Sequence, residues 1–72
     1  MDDEMRQLHN TLAAMGVKTE WYYEPGSRYY FVHVYIGAHE GLFMRFHPPI
    51  DVDACAQSVM RSLAIYHECK YP

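Results

Sequence analysis

Residues 28–36, RYYFVHVYI, decide the fold, because nearly every one of them is aromatic or β-branched and favours a strand. Their side chains alternate between two sets, and in a strand two such sets lie on opposite faces. One set is Tyr30, Val32, Val34 and Ile36, and the other is Tyr29, Phe31, His33 and Tyr35. Residues 25–27 (PGS) and 37–41 (GAHEG) flank this segment and have the composition of turns. The pattern therefore predicts a central strand between two short connections.

Two further strands are predicted on either side of this central one. Residues 18–24 (KTEWYYE) and 42–47 (LFMRFH) are rich in β-formers, and each is separated from the central segment by a predicted turn. Pro48 and Pro49 end the third strand, because proline cannot donate to a ladder of hydrogen bonds. The three segments together predict an antiparallel meander.

A helix is predicted at each end of the chain. Residues 1–16 carry apolar side chains at helical spacing, and Gly16 is suited to the left-handed conformation that ends a helix. Asp51 is a good N-cap for the second helix. The apolar positions of the first helix are Met5, Leu8, Leu12 and Met15, and those of the second are Val52, Cys55, Ala56, Val59, Met60, Leu63 and Tyr66. The predicted fold class is α+β, in the order α-β-β-β-α, with both helices on one face of the meander.

Length and composition limit the kind of protein this is. A chain of 72 residues, half of them hydrophobic, predicts a single folded domain over 1–72. No apolar run of about 20 residues is present, so no membrane partner is expected. Cys55 and Cys69, if they share one helix, are about 21 Å apart and cannot pair within the chain. Reduced thiols are typical of a cytoplasmic protein.

The face of the sheet turned away from the helices is the candidate site. The aliphatic set of the central strand packs well on helices, and Trp21, Tyr23, Leu42, Met44 and Phe46 are expected to point the same way. We call the opposite side the outer face, defined as Glu20, Tyr22, Glu24, Tyr29, Phe31, His33, Tyr35, Phe43, Arg45 and His47. Its five Tyr and Phe rings would form a larger apolar patch than a monomer usually exposes. Rings combined with arginine are typical of interaction surfaces.

This assignment predicts eight partner-binding residues and leaves one alternative open. The eight are Tyr22, Tyr29, Phe31, His33, Tyr35, Phe43, Arg45 and His47. If one helix instead covered each face of the sheet, the rings would be core, since alternation cannot identify the exposed face when both faces are apolar. The charged residues Glu20, Glu24 and Arg45 favour an open face, because charges are poorly accommodated in a core.

Motifs for catalysis or metal binding are not recognisable. The five histidines are not arranged with cysteines at the spacings of zinc ligands, and no nucleophile-elbow, phosphate-loop or dinucleotide fingerprint occurs. Cys55 with a histidine is a conceivable nucleophile–base pair, but a small residue on the apolar stripe of a helix is more often simply packed. We therefore expect that the protein is not an enzyme and that it has no catalytic residue, metal or cofactor.

The α-β-β-β-α order resembles the double-stranded-RNA-binding domain over nearly the whole chain. The resemblance implies an RNA-binding protein that reads phosphates with lysines at the start of its last helix. Residues 49–54 (PIDVDA) occupy that position and are acidic, and the turn at 25–27 lacks the histidine-bearing loop of the family. Bases could also stack on Tyr29, Phe31 and Tyr35, although few cations accompany these rings. Nucleic-acid binding is thus the disfavoured alternative.

A protein partner is the expectation that the composition favours. The formal charge of −3 disfavours a general binder of nucleic acid, and a second copy of the chain would double the core of so small a domain. We expect a non-enzymatic protein-binding module and a homodimer. Its size, acidic character and lack of catalytic motifs resemble small phage-encoded inhibitors such as anti-CRISPR proteins. That resemblance implies an inhibitor. The acidic residues of the chain either address a basic surface of a target or, as is more common, serve as helix caps and solvated charge.

Overall fold

The order and bounds of the elements come from a computed structural model, which describes residues 2–70 and, for Lys70, the backbone alone. The elements are α1 (Asp3–Ala14), β1 (Thr19–Glu24), β2 (Tyr29–Tyr35), β3 (Gly41–Phe46) and α2 (Val52–Lys70). The predicted α+β class and the order α-β-β-β-α are confirmed. Met1, Tyr71 and Pro72 of the predicted domain lie outside the described residues.

α1 ends and α2 begins at residues whose local chemistry favours a helix terminus. Gly16 has a φ of 80°, a left-handed conformation that glycine adopts without a steric penalty. This turn lets the amide of Val17 donate to the carbonyl of Leu12 at 2.8 Å, which satisfies a terminal carbonyl of α1. At the start of α2, the amide of Ala54 donates to Oδ1 of Asp51 at 3.1 Å. The predicted roles of Gly16 and Asp51 are therefore confirmed.

The sheet is a meander with the spatial order β1-β2-β3 and antiparallel pairing throughout. Val32 in the central strand pairs with Trp21 on one side and Met44 on the other. The first connection differs from the prediction, since Arg28 lies in the turn with a φ of 61° and its amide donates to the carbonyl of Glu24. β2 therefore begins at Tyr29, one residue later than predicted.

One core joins both helices to the same face of the sheet. Its buried members include Met5, Leu8 and Leu12 in α1, Tyr30, Val32 and Val34 in β2, and Cys55, Ala56 and Val59 in α2. The predicted inward set of the central strand is confirmed for its first three members, whereas Ile36 is only half-buried. The alternative in which one helix covers each face is wrong.

Three residues predicted to be inward are more exposed than expected. Met15 is 49% exposed, because α1 ends at Ala14 and Met15 lies in the cap that follows it. Tyr23 is 38% exposed, since it lies near the end of an edge strand, although its ring still contacts Tyr30 with centroids 4.9 Å apart. Met60 lies at the border of the buried face of α2. The apolar stripes are thus narrower than the sequence predicts.

Tyr30 connects the sheet to the start of α1 and should make the stability of the fold decrease at alkaline pH. Its hydroxyl donates to Oδ1 of Asp2 at 3.1 Å, and burial together with this bond raises the Tyr30 pKa above its usual 10.0. The folded state then retains a proton that the unfolded state loses, so stability should fall as the pH rises above about 10. Thermal melting between about pH 8 and 11 measures this effect.

The matched control for that prediction is Tyr30→Phe. This variant keeps the ring and removes the titrating hydroxyl, so its melting temperature should fall less steeply in the alkaline range. An equal slope in the two proteins would contradict the role given to Tyr30.

Candidate functional site

The strand register arranges the outer face as rows of side chains that cross the sheet. Each row takes one residue from β1, one from β2 and one from β3 or its end. The rows are Glu20–His33–Phe43, Tyr22–Phe31–Arg45 and Glu24–Tyr29–His47. The structure therefore brings all eight predicted partner-binding residues onto one surface, while their role in binding stays a prediction.

The rings of the outer face are accessible to solvent. Phe43 is 79% exposed and Tyr22 is 59% exposed, although both are large apolar side chains. Tyr29, Phe31, His33 and Tyr35 are half-buried, and the rings beside them supply contacts that cover them. In the part of the chain that the structure describes, both helices contribute their buried side chains to the core on the opposite side. The outer face is therefore an open aromatic surface.

The rings contact each other in an ordered layer. Tyr22 stacks on Phe31 with centroids 5.3 Å apart and planes at 16°, and His33 stacks on Phe43 at 4.5 Å and 14°. Tyr29 meets Phe31 edge-on at 6.2 Å. Rings held by such contacts have lost much of their rotamer freedom in the free protein. Docking on them therefore costs less side-chain entropy than docking on flexible chains.

Charged groups surround the rings and balance one another. The Arg45 guanidinium lies 5.0 Å from the Tyr29 centroid, and the Lys18 ammonium lies 5.3 Å from that of Tyr35. The interaction of the Tyr35 hydroxyl with the Glu20 carboxylate raises the Tyr35 pKa. With Glu24, the face has two basic and two acidic groups, so its formal charge is zero when the histidines are neutral. The net charge of the chain lies elsewhere on its surface.

Lys18 lies beside this surface, although it is not among the eight predicted partner-binding residues. It precedes β1, and its backbone carbonyl accepts the amide of Tyr35 at 2.9 Å, which places its side chain beside the Tyr35 ring. The sequence indicates this position, because Lys18 is two residues before Glu20 and side chains two residues apart in an extended segment lie on the same face. The predicted set therefore gains one cation.

Gly41 makes room for the His33 ring at the end of the outer face. A Cβ built on Gly41 would collide with Nε2 of His33 and would lie 2.9 Å from the carbonyl oxygen of Val34. The second contact involves backbone, so the clash cannot be relieved by a side-chain rotation alone. The absence of a side chain at Gly41 is thus a condition for the stack of His33 on Phe43.

Gly41→Ala is expected to lower the free energy of unfolding by about 1–3 kcal/mol, as overpacking usually does. It should also displace the His33 ring, which a change in the His33 ring resonances by NMR would report. Gly37→Ala is the matched control, because a Cβ at Gly37 meets no atom within 4 Å. Equal stability of the two variants in urea would refute the tight approach at Gly41.

A shallow cleft opens where the outer face meets the connection between β2 and β3. It has a volume of about 370 Å³, and its walls include His33, Tyr35, His39, Glu40 and Phe43. Glu40 also accepts a hydrogen bond from the hydroxyl of Tyr66, which connects this turn to α2. The cleft extends the outer face toward the second helix.

The groups with possible catalytic or metal-binding chemistry are not brought together. Within residues 2–70, no three His, Cys, Asp or Glu side chains are grouped closely enough to hold a metal ion. Cys55 is buried, and burial raises its pKa, which keeps the thiol protonated and weakly nucleophilic. His9 Nδ1 lies 2.9 Å from the Thr19 hydroxyl, away from the outer face. The packing role of Cys55 accounts for its position.

Comparison with known proteins adds no relative to this description. No protein-family model, no curated protein and no solved structure matches the chain. Neither helix within residues 2–70 has the length and apolar character needed to cross a bilayer.

Proposed function

We propose that this chain is a small non-enzymatic module that binds another protein through its outer face. The observation that carries the proposal is the exposure of Phe43 and Tyr22 within an ordered layer of rings. A monomer gains no stability from leaving such rings exposed to water. A partner that covers them buries apolar surface, and this burial stabilises the complex by about 25 cal/mol per Å². Aromatic residues and arginine are also the residues that most often dominate binding energy at protein interfaces.

The charge of the outer face supports a protein partner over nucleic acid. Binding to phosphates needs a surplus of cations, but Lys18 and Arg45 are balanced by Glu20 and Glu24 on the same surface. At the start of α2, where a double-stranded-RNA-binding domain would place lysines, Asp51 is engaged as the N-cap. Stacking of unpaired bases on the Tyr22–Phe31 pair is the second candidate, favoured only by the planarity of that pair.

We propose inhibition as the form that this binding takes, in a cytoplasmic setting. The size and acidic character of the chain resemble those of phage-encoded inhibitors of the anti-CRISPR type. Of the acidic residues, Asp2 and Asp51 are engaged in hydrogen bonds with Tyr30 and Ala54. Glu20 and Glu24 remain on the outer face, where they would meet a basic surface of the target.

Photocrosslinking from the outer face tests the proposal. A benzoyl-phenylalanine in place of Phe43 is expected to form covalent adducts with protein in a lysate of the source organism. The same group at Ile65, an apolar position on α2 that is 53% exposed, is the control and should form far fewer adducts. Equal yields at the two positions would count against the outer face as the binding surface. Retention on random RNA or DNA at low salt, lost steeply on adding salt, would support the nucleic-acid candidate instead.

A further inference from the structure

We infer that the outer face pairs with the outer face of a second copy, in one orientation that its charges select. This inference rests on the proposed function in taking the outer face as the binding surface, and the occupant that it names is a second copy of the chain rather than the target of inhibition. The two copies are related by a two-fold axis that runs parallel to β2 and lies between the two sheets. β1 of each copy then lies over β3 of the other, and the helices are on the outside of a six-stranded sandwich.

The rows of the outer face are complementary under this operation. Rotation about an axis parallel to β2 leaves the position of each row along the strands unchanged. It exchanges the two ends of the row, so that the β1 residue of one copy lies over the β3 residue of the other. Phe31 then faces the Phe31 of the second copy, Tyr22 faces its Arg45, and Glu24 faces its His47. Two sheets that pack face to face in this aligned way are a common arrangement, with their strands about 30° apart.

Carboxylates on β1 come to lie beside the guanidinium on β3 of the second copy. Glu20 and Glu24 flank Tyr22 on the same side of β1, each about 7 Å away along the strand. An Arg45 that faces Tyr22 is therefore placed between two carboxylates and over a ring. The interaction occurs twice, because a two-fold interface repeats each contact.

The other two-fold arrangement of the same faces is unfavourable. An axis perpendicular to the strands would place β1 over β1, with Glu20 facing the Glu24 of the second copy. It would also place Arg45 over Arg45. Like charges facing each other across an interface are repelled, so the charge pattern favours the first arrangement over this one.

The area of the face determines how strong the pairing should be. The ten residues of the outer face and Lys18 are about half of the 20–30 residues that each side of a standard interface uses. The dimer therefore belongs at the small end of specific interfaces, with a dissociation constant on the order of 10 µM.

Analytical ultracentrifugation with charge-reversed variants tests the orientation. From about 1 µM to about 500 µM, the wild-type mass should rise from the 8.5 kDa of one chain toward twice that value. Arg45→Glu should weaken the dimer about tenfold or more, and so should Glu20→Lys combined with Glu24→Lys. The triple variant with all three changes should dimerise again, because β1 is then basic and β3 acidic.

The change in net charge cannot by itself explain the expected weakening of the dimer in the charge-reversed variants. Glu20→Lys with Glu24→Lys moves the chain from −3 to +1, closer to neutrality, yet it is expected to weaken the dimer. Arg61→Glu is the matched control for Arg45→Glu, since Arg61 is exposed on α2 and the change in charge is the same. Circular dichroism verifies that each variant is folded.

Two outcomes would overturn the inference. A wild-type mass of one chain at every concentration excludes the second copy as partner, while the crosslinking at Phe43 still decides the proposed function separately. A triple variant that stays monomeric, although the wild type is a dimer, excludes the orientation with β1 over β3. Adducts between Phe43 positions of two copies would support the inference, whereas adducts with a different protein would support the proposed function.

Discussion

Leu12→Ala is expected to lower the free energy of unfolding by about 2–5 kcal/mol, the usual cost of emptying a fully buried leucine site. Leu12 has no exposed surface and belongs to the core that α1 shares with β2 and α2. A chain this small has a stability at or below the usual 5–15 kcal/mol, so a large fraction of the variant should be unfolded at 37 °C. Urea denaturation followed by circular dichroism measures the change.

Phe43→Ala is the contrasting change and should alter the free energy of unfolding by no more than about 0.5 kcal/mol, as expected for an exposed site. It removes a larger side chain than Leu12→Ala does, but Phe43 is on the outer face. Stability losses of similar size for the two variants would mean that Phe43 is covered in the free protein. The measurement should use a protein concentration below that at which copies associate.

Phe31→Ser combined with Tyr35→Ser is expected to abolish binding through the outer face, with a loss of affinity of at least a hundredfold. Phe31 lies in the middle row of the layer and Tyr35 lies at the end of β2, and aromatic hot-spot residues at interfaces commonly contribute about 2 kcal/mol or more each. The monomer should stay folded, because both side chains are only half-buried and point away from the core. Crosslinking yield and association constant measure the first effect, and thermal melting measures the second.

Tyr30→Ser is the matched control within the same strand. It makes the same kind of change on the inner face, where Tyr30 is buried and bonded to Asp2, and it should unfold the protein. If the Phe31/Tyr35 double variant also unfolds, those rings act as core and the binding surface is not where we place it. Loss of affinity in a folded double variant would support the outer face.

The elements and faces were predictable because each depends on local periodicity. Alternation along β2 separates Val32 and Val34 from Phe31 and His33, and the register then assigns the neighbours of each residue. What periodicity left open was which face the helices cover, since both sets are apolar. The aliphatic and aromatic difference between the sets was the correct guide, because branched side chains pack closely against helices.

The parts that sequence reasoning missed depend on where elements end. Met15 has the correct spacing for the stripe of α1, yet the helix stops before it. Arg28 adopts a left-handed backbone that β-propensity does not predict, and Lys18, which was predicted to begin the first strand, lies just before β1. The cleft near His39 depends on the conformation of a connection, which no pattern of hydrophobicity describes.

The order β1-β2-β3 leaves two strands with one unpaired side each. On β1, the two carboxylates act as gatekeepers, because stacking identical copies of this strand would bring like charges together. In β3, Arg45 is the one charged residue that would oppose such stacking, and the other residues are apolar or glycine. Growth of concentrated protein into fibres would therefore start from β3, and neutralising Arg45 would accelerate it.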